Sequence, residues 1–99
     1  MSIEADRRSL EQLIVELLAH RAPAETMCPS EVAKAASPDE WRILMPAVRS
    51  AACRLAATRT IQITQGGREL SAESTWRGPV RLGRGAAWNE QHQLFDGRH

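Results

Sequence analysis

A pair of consecutive helices is encoded in residues 29–58, which read PSEVAKAASPDEWRILMPAVRSAACRLAAT. Pro29 sets the backbone angle of a first helical position and predicts a short helix that ends at Ala36. Ser37 is followed by a proline and then by Glu40 three residues on, which is the pattern of a helix cap. This pattern predicts a second helix that begins at residue 38 and turns sharply against the first.

The second of these helices carries one apolar face and one proline. Its apolar positions follow a helical period to about residue 58: Trp41, Leu44, Met45, Val48, Ala52 and Leu55. The residue before a proline avoids helical backbone angles, so Pro46 predicts either a break after Met45 or a kink in a continuous helix. Part of residues 38–45 is an alternative place for the turn between the two helices, because helix-turn-helix units use about three or four residues there.

An amphipathic helix precedes this pair, with a short segment between them. Residues 5–20 place one apolar stripe on a helix: Leu10, Leu13, Ile14, Leu17 and Leu18. Pro23 prevents the helix from continuing. Residues 26–28 are too few to assign alone and fit a brief extended segment.

Strand patterns follow the helices. Ile61 and Ile63 alternate with polar residues, which predicts a half-buried strand, and Gly66 with Gly67 is a tight-turn signal. After a polar stretch, residues 79–82 predict a second short strand, which its proline confines to a sheet edge or a strand start. Residues 84–99 show no period and are expected to form a loosely ordered tail. Three apolar residues of this tail are able to dock on the core: Trp88, Leu94 and Phe95.

The order of these elements predicts an α+β fold of the winged helix-turn-helix type, in which a three-helix unit is followed by a two- to three-stranded β wing. One domain over residues 1–83 accommodates it, since 99 residues and 11.0 kDa allow a single small core. The sequence has neither an apolar run long enough to span a membrane nor the apolar core of a secretory signal. Cys28 and Cys53 form no paired motif, which is typical of reduced thiols and predicts a cytoplasmic protein.

Three motifs carry a family resemblance. They are CPSEVAK at residues 28–34, WRILMP at 41–46 and RGPVRL at 77–82. With them the chain resembles, over roughly residues 8–83, a family of small bacterial proteins known only as a domain of unknown function. The resemblance implies a winged-helix fold and brings no activity, substrate or catalytic residue. Arg59 departs from the family pattern, in which a glycine is expected between the long helix and the strand.

Charge is segregated along the chain. Residues 1–40 sum to −4, residues 41–85 to +6 and residues 86–99 to −1. Arginines on the outer face of the long helix can pair with phosphates or with guanine edges, so the sequence predicts binding of double-stranded DNA by the helix around residues 42–54 and by a basic wing. The candidate nucleic-acid-binding residues are Arg42, Arg49, Ser50, Arg54, Arg68, Arg77, Arg81 and Arg84.

The alternative function is a protein-interaction or self-association module that binds no nucleic acid. In that case the acidic half of the chain neutralises the arginines, and Trp76 or Trp88 anchors a partner. The sequence has no catalytic constellation, metal-ligand spacing or phosphate-binding motif, so no enzyme, metal or cofactor is expected. Cys28, at the cap of the short helix, is either a packed inert thiol or a redox-sensing one.

Overall fold

Three helices precede three strands in the computed structural model, which describes residues 3–71, 76 and 78–88. The helices are α1 (Ile3–Ala19), α2 (Pro29–Ala36) and α3 (Trp41–Ala57). The strands are β1 (Ile61–Gln65), β2 (Arg68–Leu70) and β3 (Arg81–Arg84). The α+β class is therefore confirmed, and the element order is compatible with the expected winged-helix layout. Within the described residues, no helix combines the length and the apolar character that crossing a membrane requires.

The strands form one antiparallel sheet in the order β2-β1-β3. Gly66 and Gly67 join β1 to β2 with φ values of 59° and 84°, as a tight hairpin turn with two positive φ angles requires. At the other edge, Ile63 of β1 pairs with Leu82 of β3. Leu82 also exchanges both backbone hydrogen bonds with Met27, at 2.9 and 2.7 Å, so the expected extended segment before α2 is confirmed.

The junction between α2 and α3 differs from the prediction of a single cap residue. Ser37 ends α2: its backbone is extended, and its N–H donates to the carbonyl of Ala33 at 2.9 Å. Residues 38–40 form a turn, Glu40 takes the cap position, and α3 begins at Trp41. The predicted start at residue 38 is wrong because the serine closes the first helix instead of opening the second. The longer turn agrees with the alternative drawn from helix-turn-helix units.

Pro46 lies inside α3 without ending it. The helix is continuous from Trp41 to Ala57, so the predicted break after Met45 does not occur. A proline removes the hydrogen bond to the carbonyl four residues earlier, here that of Arg42. Both Arg42 and Pro46 are exposed, so water can satisfy this carbonyl on the outer face of the helix.

The core lies where the helices meet the sheet. Ile14 and Leu18 of α1, Val48 of α3 and Ile63 and Leu82 of the sheet are fully buried. Each of these helical residues belongs to an apolar stripe that the sequence already shows. Trp41, predicted to be a core residue, is half-buried and packs against the edge of this core. The amphipathic pattern therefore sets the inward face of each helix, and the opposite face of α3 is left for solvent.

The fold continues beyond residue 83, the expected edge of the domain. Arg84 completes β3, and the N–H of Ala87 donates to the carbonyl of Arg59 at 2.8 Å. Trp88 packs against the core, whereas Leu94 and Phe95 fall outside the described residues. These contacts return the chain to the turn that follows α3.

Arg59 occupies the turn between α3 and β1 with a φ of 64°. This is the left-handed region, where a side chain is disfavoured and glycine is common. The family resemblance leads to the expectation of glycine at this position, and the backbone has the geometry that a glycine would adopt. Gly85 packs directly on this turn, because a Cβ at that position would lie 2.3 Å from the carbonyl oxygen of Arg59.

Candidate nucleic-acid interface

The outer face of α3 is basic. The helix contains three arginines and no acidic residue, and all three arginines are exposed. Its buried residues lie on the opposite side and are small or branched: Val48, Ala51 and Ala52. The burial of this side confirms that the apolar face predicted from the sequence points inward and that the arginines point to solvent.

Arg42 and Arg49 lie in one line along this face. A separation of seven residues rotates the helix by about 700°, which is about 20° short of two full turns. The two positions are therefore about 10 Å apart along the axis and point in nearly the same direction. The guanidinium of Arg42 rests 4.6 Å from the ring centre of Trp41, and the ammonium of Lys34 lies 4.7 Å from the same centre. Arg49 makes no hydrogen bond or ion pair with any described residue. Ser50 is exposed beside it.

Arg54 is separated from this line. Its Nε donates to a carboxylate oxygen of Glu11 on α1 at 2.5 Å. The two side chains retain 42% and 30% of their exposure, so the pair adds little to stability but supplies a compensating negative charge. The structure therefore places one of the candidate arginines beside an acid of the N-terminal half of the chain.

Arg81 and Arg84 hold segments of the fold together. Arg81 donates to the hydroxyl and the carbonyl of Thr26 and to the Sγ atom of Cys28, each at 2.9 Å. Arg84 donates to the carbonyls of Leu18 and Arg21, at 3.2 and 2.9 Å, where α1 ends. Cations are favourable at this end of a helix because its last carbonyls have no partner within the helix.

The sheet contributes one exposed arginine that makes no hydrogen bond or ion pair with any described residue. Arg68 is exposed at the start of β2, next to the hairpin turn. Arg77 falls outside the described residues. The described candidates therefore form two groups. Arg42, Arg49 and Ser50 on α3 and Arg68 on β2 are exposed and make no hydrogen bond or ion pair with any described residue, whereas Arg54, Arg81 and Arg84 are engaged.

Glu31 secures the beginning of α2 near this interface. One of its carboxylate oxygens accepts the backbone N–H of Cys28 at 3.0 Å, and the other accepts the guanidinium of Arg21. The N–H of Cys28 lowers the pKa of Glu31 below its usual value against the opposing effect of burial, and Arg21 lowers this pKa further. Glu31 therefore stays ionised and paired with Arg21 at the beginning of α2.

Both cysteines are free thiols. Cys28 takes the cap position of α2, as the sequence predicts, and accepts a hydrogen bond from Arg81. Cys53 is half-buried on α3, where burial raises the pKa of its thiol. Across the residues that the structure describes, no three His, Cys, Asp or Glu side chains are grouped as metal ligands.

A pocket of about 260 Å³ lies beside the basic face. It is formed by the start of α2, by α3, by Trp76 and by residues 78–80. The residues that decide its chemistry are Cys28, Ser30, Met45, Arg49, Trp76 and Pro79. No sequence motif predicts this pocket. Its walls come from three segments that no local pattern connects.

The fold and this face together define a small α+β protein with a basic helix surface. A family model described as "Protein of unknown function (DUF3253)" matches residues 7–85, and the chain belongs to that family. The match agrees with the predicted resemblance to a family of unknown function over roughly residues 8–83. No curated protein matches the sequence.

Proposed function

We propose that the protein is a non-catalytic, winged-helix DNA-binding module that places the outer face of α3 in the major groove. The observation that carries the proposal is the line formed by Arg42 and Arg49 on a helix without acidic residues. Arginine pairs with phosphates and makes bidentate hydrogen bonds to guanine. Ser50 beside this line adds a small hydrogen-bonding group, and Arg68 on the wing reaches the backbone next to the groove.

The proposed contact set is smaller than the one drawn from sequence. Arg81 and Arg84 are engaged in the fold, and Arg54 is neutralised by Glu11. Among the residues that the structure describes, three arginines of the candidate set remain for phosphates: Arg42, Arg49 and Arg68. Each phosphate contact changes the logarithmic salt slope by about −0.9, so a single copy of the protein should bind a duplex with a slope of about −2.7.

Fluorescence anisotropy of a labelled duplex of mixed sequence tests this proposal. Binding is measured from about 50 to about 200 mM KCl for the wild type and for the variants R42Q and R54Q. Both substitutions remove one positive charge from α3, but only Arg42 belongs to the proposed contact set. R42Q should reduce the slope to about −1.8, whereas R54Q should leave it near the wild-type value. No binding at the lowest salt concentration, or equal loss in both variants, would refute the proposal.

Ile43 favours a second candidate function, a docking surface for another protein. It is the exposed large apolar residue of the described chain, at 73% exposure, and it lies one turn before Pro46 on the same helix. An exposed apolar side chain with a cation beside it suits a partner with an apolar pocket and an acidic rim. Light scattering tests whether that partner is a second copy: the wild type would form a dimer that I43S abolishes, and a monomeric wild type would exclude self-association.

A further inference from the structure

The pocket beside α3 combines apolar walls with a cation that has no partner among the described residues. Met45, Trp76 and Pro79 supply apolar surface on different sides of the space. Arg49 also lines it, and its guanidinium makes no hydrogen bond or ion pair with any residue that the structure describes. A cation without a partner at an otherwise apolar pocket attracts an anion, and the walls favour one with an apolar body.

Two further polar groups lie at the same pocket. Ser30 is half-buried, and its hydroxyl forms no hydrogen bond within the described part of the chain. Its backbone N–H lies in the first turn of α2 and has no carbonyl partner within that helix. Arg49 and Ser30 both line the pocket and both carry hydrogen-bond donors, and a carboxylate accepts several hydrogen bonds through its two oxygens.

We propose that this pocket binds a small organic anion that consists of one aromatic ring and one carboxylate. The volume of about 260 Å³ is below the ~300 Å³ at which pockets for drug-sized ligands begin, so it suits a ligand with one ring. The ring packs against Trp76 and Met45, because aromatic and thioether groups make favourable contacts with aromatic faces. The carboxylate pairs with Arg49.

The position of Arg49 gives such a ligand a regulatory effect, which rests on the proposed function. Arg49 is part of the line of arginines on α3 that would contact DNA. A guanidinium paired with a carboxylate in the pocket cannot also pair with a phosphate. Binding of the anion therefore weakens binding of DNA, and DNA weakens binding of the anion to the same degree.

An NMR titration of the ¹⁵N-labelled protein with benzoate tests the pocket without DNA. The indole N–H signal of Trp76 and the amide signal of Ser30 should move together and saturate, while the indole signal of Trp88 stays in place. Benzyl alcohol has the ring without the charge, and acetate has the charge without the ring. Each should bind at least about tenfold more weakly than benzoate, because each lacks one of the two interactions.

Two variants of α3 provide a matched pair for the same titration. R49Q and R54Q each remove one positive charge from an exposed position of the helix, but only Arg49 lines the pocket. R49Q should weaken benzoate binding by about tenfold or more, and R54Q should bind as the wild type does. The inference is overturned if benzoate moves neither reporter signal, if R49Q retains the affinity of the wild type, or if benzyl alcohol or acetate binds as tightly as benzoate.

The regulatory effect has its own readout. Benzoate is added to the preformed complex with duplex DNA, with acetate at equal ionic strength as the control, and the anisotropy should fall only with benzoate. If benzoate binds and no DNA complex forms at any salt concentration, the pocket stands and the proposed function fails. If DNA binds and benzoate does not, the pocket alone is wrong. If both bind and benzoate leaves the affinity for DNA unchanged, the competition at Arg49 is refuted.

Discussion

Replacement of Arg59 by glycine should stabilise the protein. Arg59 has a φ of 64°, and the left-handed conformation costs a residue with a Cβ about 1–2 kcal/mol. Glycine avoids this cost, but its greater conformational freedom in the unfolded chain reduces the gain in the free energy of unfolding by about 0.5–1 kcal/mol. The balance is a gain of about 0.5–1 kcal/mol in the free energy of unfolding, which corresponds to a rise in melting temperature of about 2–8 °C.

Nothing else at this position should be lost in the glycine variant. The side chain of Arg59 is exposed and makes no hydrogen bond or ion pair with any described residue. Its backbone bonds, from its N–H to Ala56 and from the N–H of Ala87 to its carbonyl, do not require a side chain.

Thermal and urea unfolding, followed by circular dichroism, measure the effect. R59A is the matched control: it removes the charge and keeps the Cβ, so its free energy of unfolding should stay within about 0.5 kcal/mol of the wild type. If R59G melts at or below the wild-type temperature, or if R59A gains as much as R59G, the backbone angle is not the cause.

Three other substitutions are expected to affect stability. G85A and R84K should lower the free energy of unfolding, and E31Q should reduce its dependence on pH. G85A should lose about 2–4 kcal/mol in urea unfolding, because its Cβ would meet the carbonyl of Arg59; a loss below about 1 kcal/mol would contradict this. R84K should lose about 1 kcal/mol, since lysine replaces the guanidinium that donates to two carbonyls, and an unchanged midpoint would refute this role. Glu31, whose pKa is lowered on folding, contributes stability that is present above its unfolded pKa near 4.5 and lost as pH falls through the folded value. The stability of E31Q should therefore fall less between pH 7 and pH 3 than that of the wild type, and an equal fall in both proteins would exclude the pairing.

The helices α1 and α3 could be predicted from the sequence because each has a long apolar period, whereas α2 could be predicted from Pro29 at its first position. The stripe of α1 and the inward face of α3 each repeat over several turns, so single exceptions such as Pro46 do not hide them. The start of α3 could not be predicted from its cap pattern. A serine followed by proline can begin a helix or end one. The hydrogen bond from the N–H of Ser37 to the carbonyl of Ala33 shows that Ser37 ends α2.

The strand β2 has no such pattern. It contains three residues, of which Arg68 and Glu69 are exposed, so alternation cannot mark it. Its position follows instead from the hairpin at Gly66 and Gly67, which brings it back onto β1. The turn could be predicted from the glycine pair, whereas the strand depends on the partner that the turn provides.

Some features of the candidate site could also be predicted from the sequence, and others could not. The placement of Arg42, Arg49 and Ser50 on the outer face of α3 follows from helical period alone. Engagement of the other arginines depends on partners far away in the chain: Arg54 meets Glu11, 43 residues away, and Arg84 meets a carbonyl 66 residues away. Sequence periodicity has no information on such contacts, so the sequence alone does not distinguish Arg54 and Arg84 from the free arginines.

The last strand also determines when the protein can complete its fold. β3 pairs with β1, bridges to Met27 and, through Arg84, caps the end of α1, so it secures elements from the beginning of the chain. Contacts between distant residues form slowly because a long loop must close before they are made. During synthesis the three helices emerge first, but α1 stays without this cap, and the core without its final strand, until residue 84 has left the ribosome.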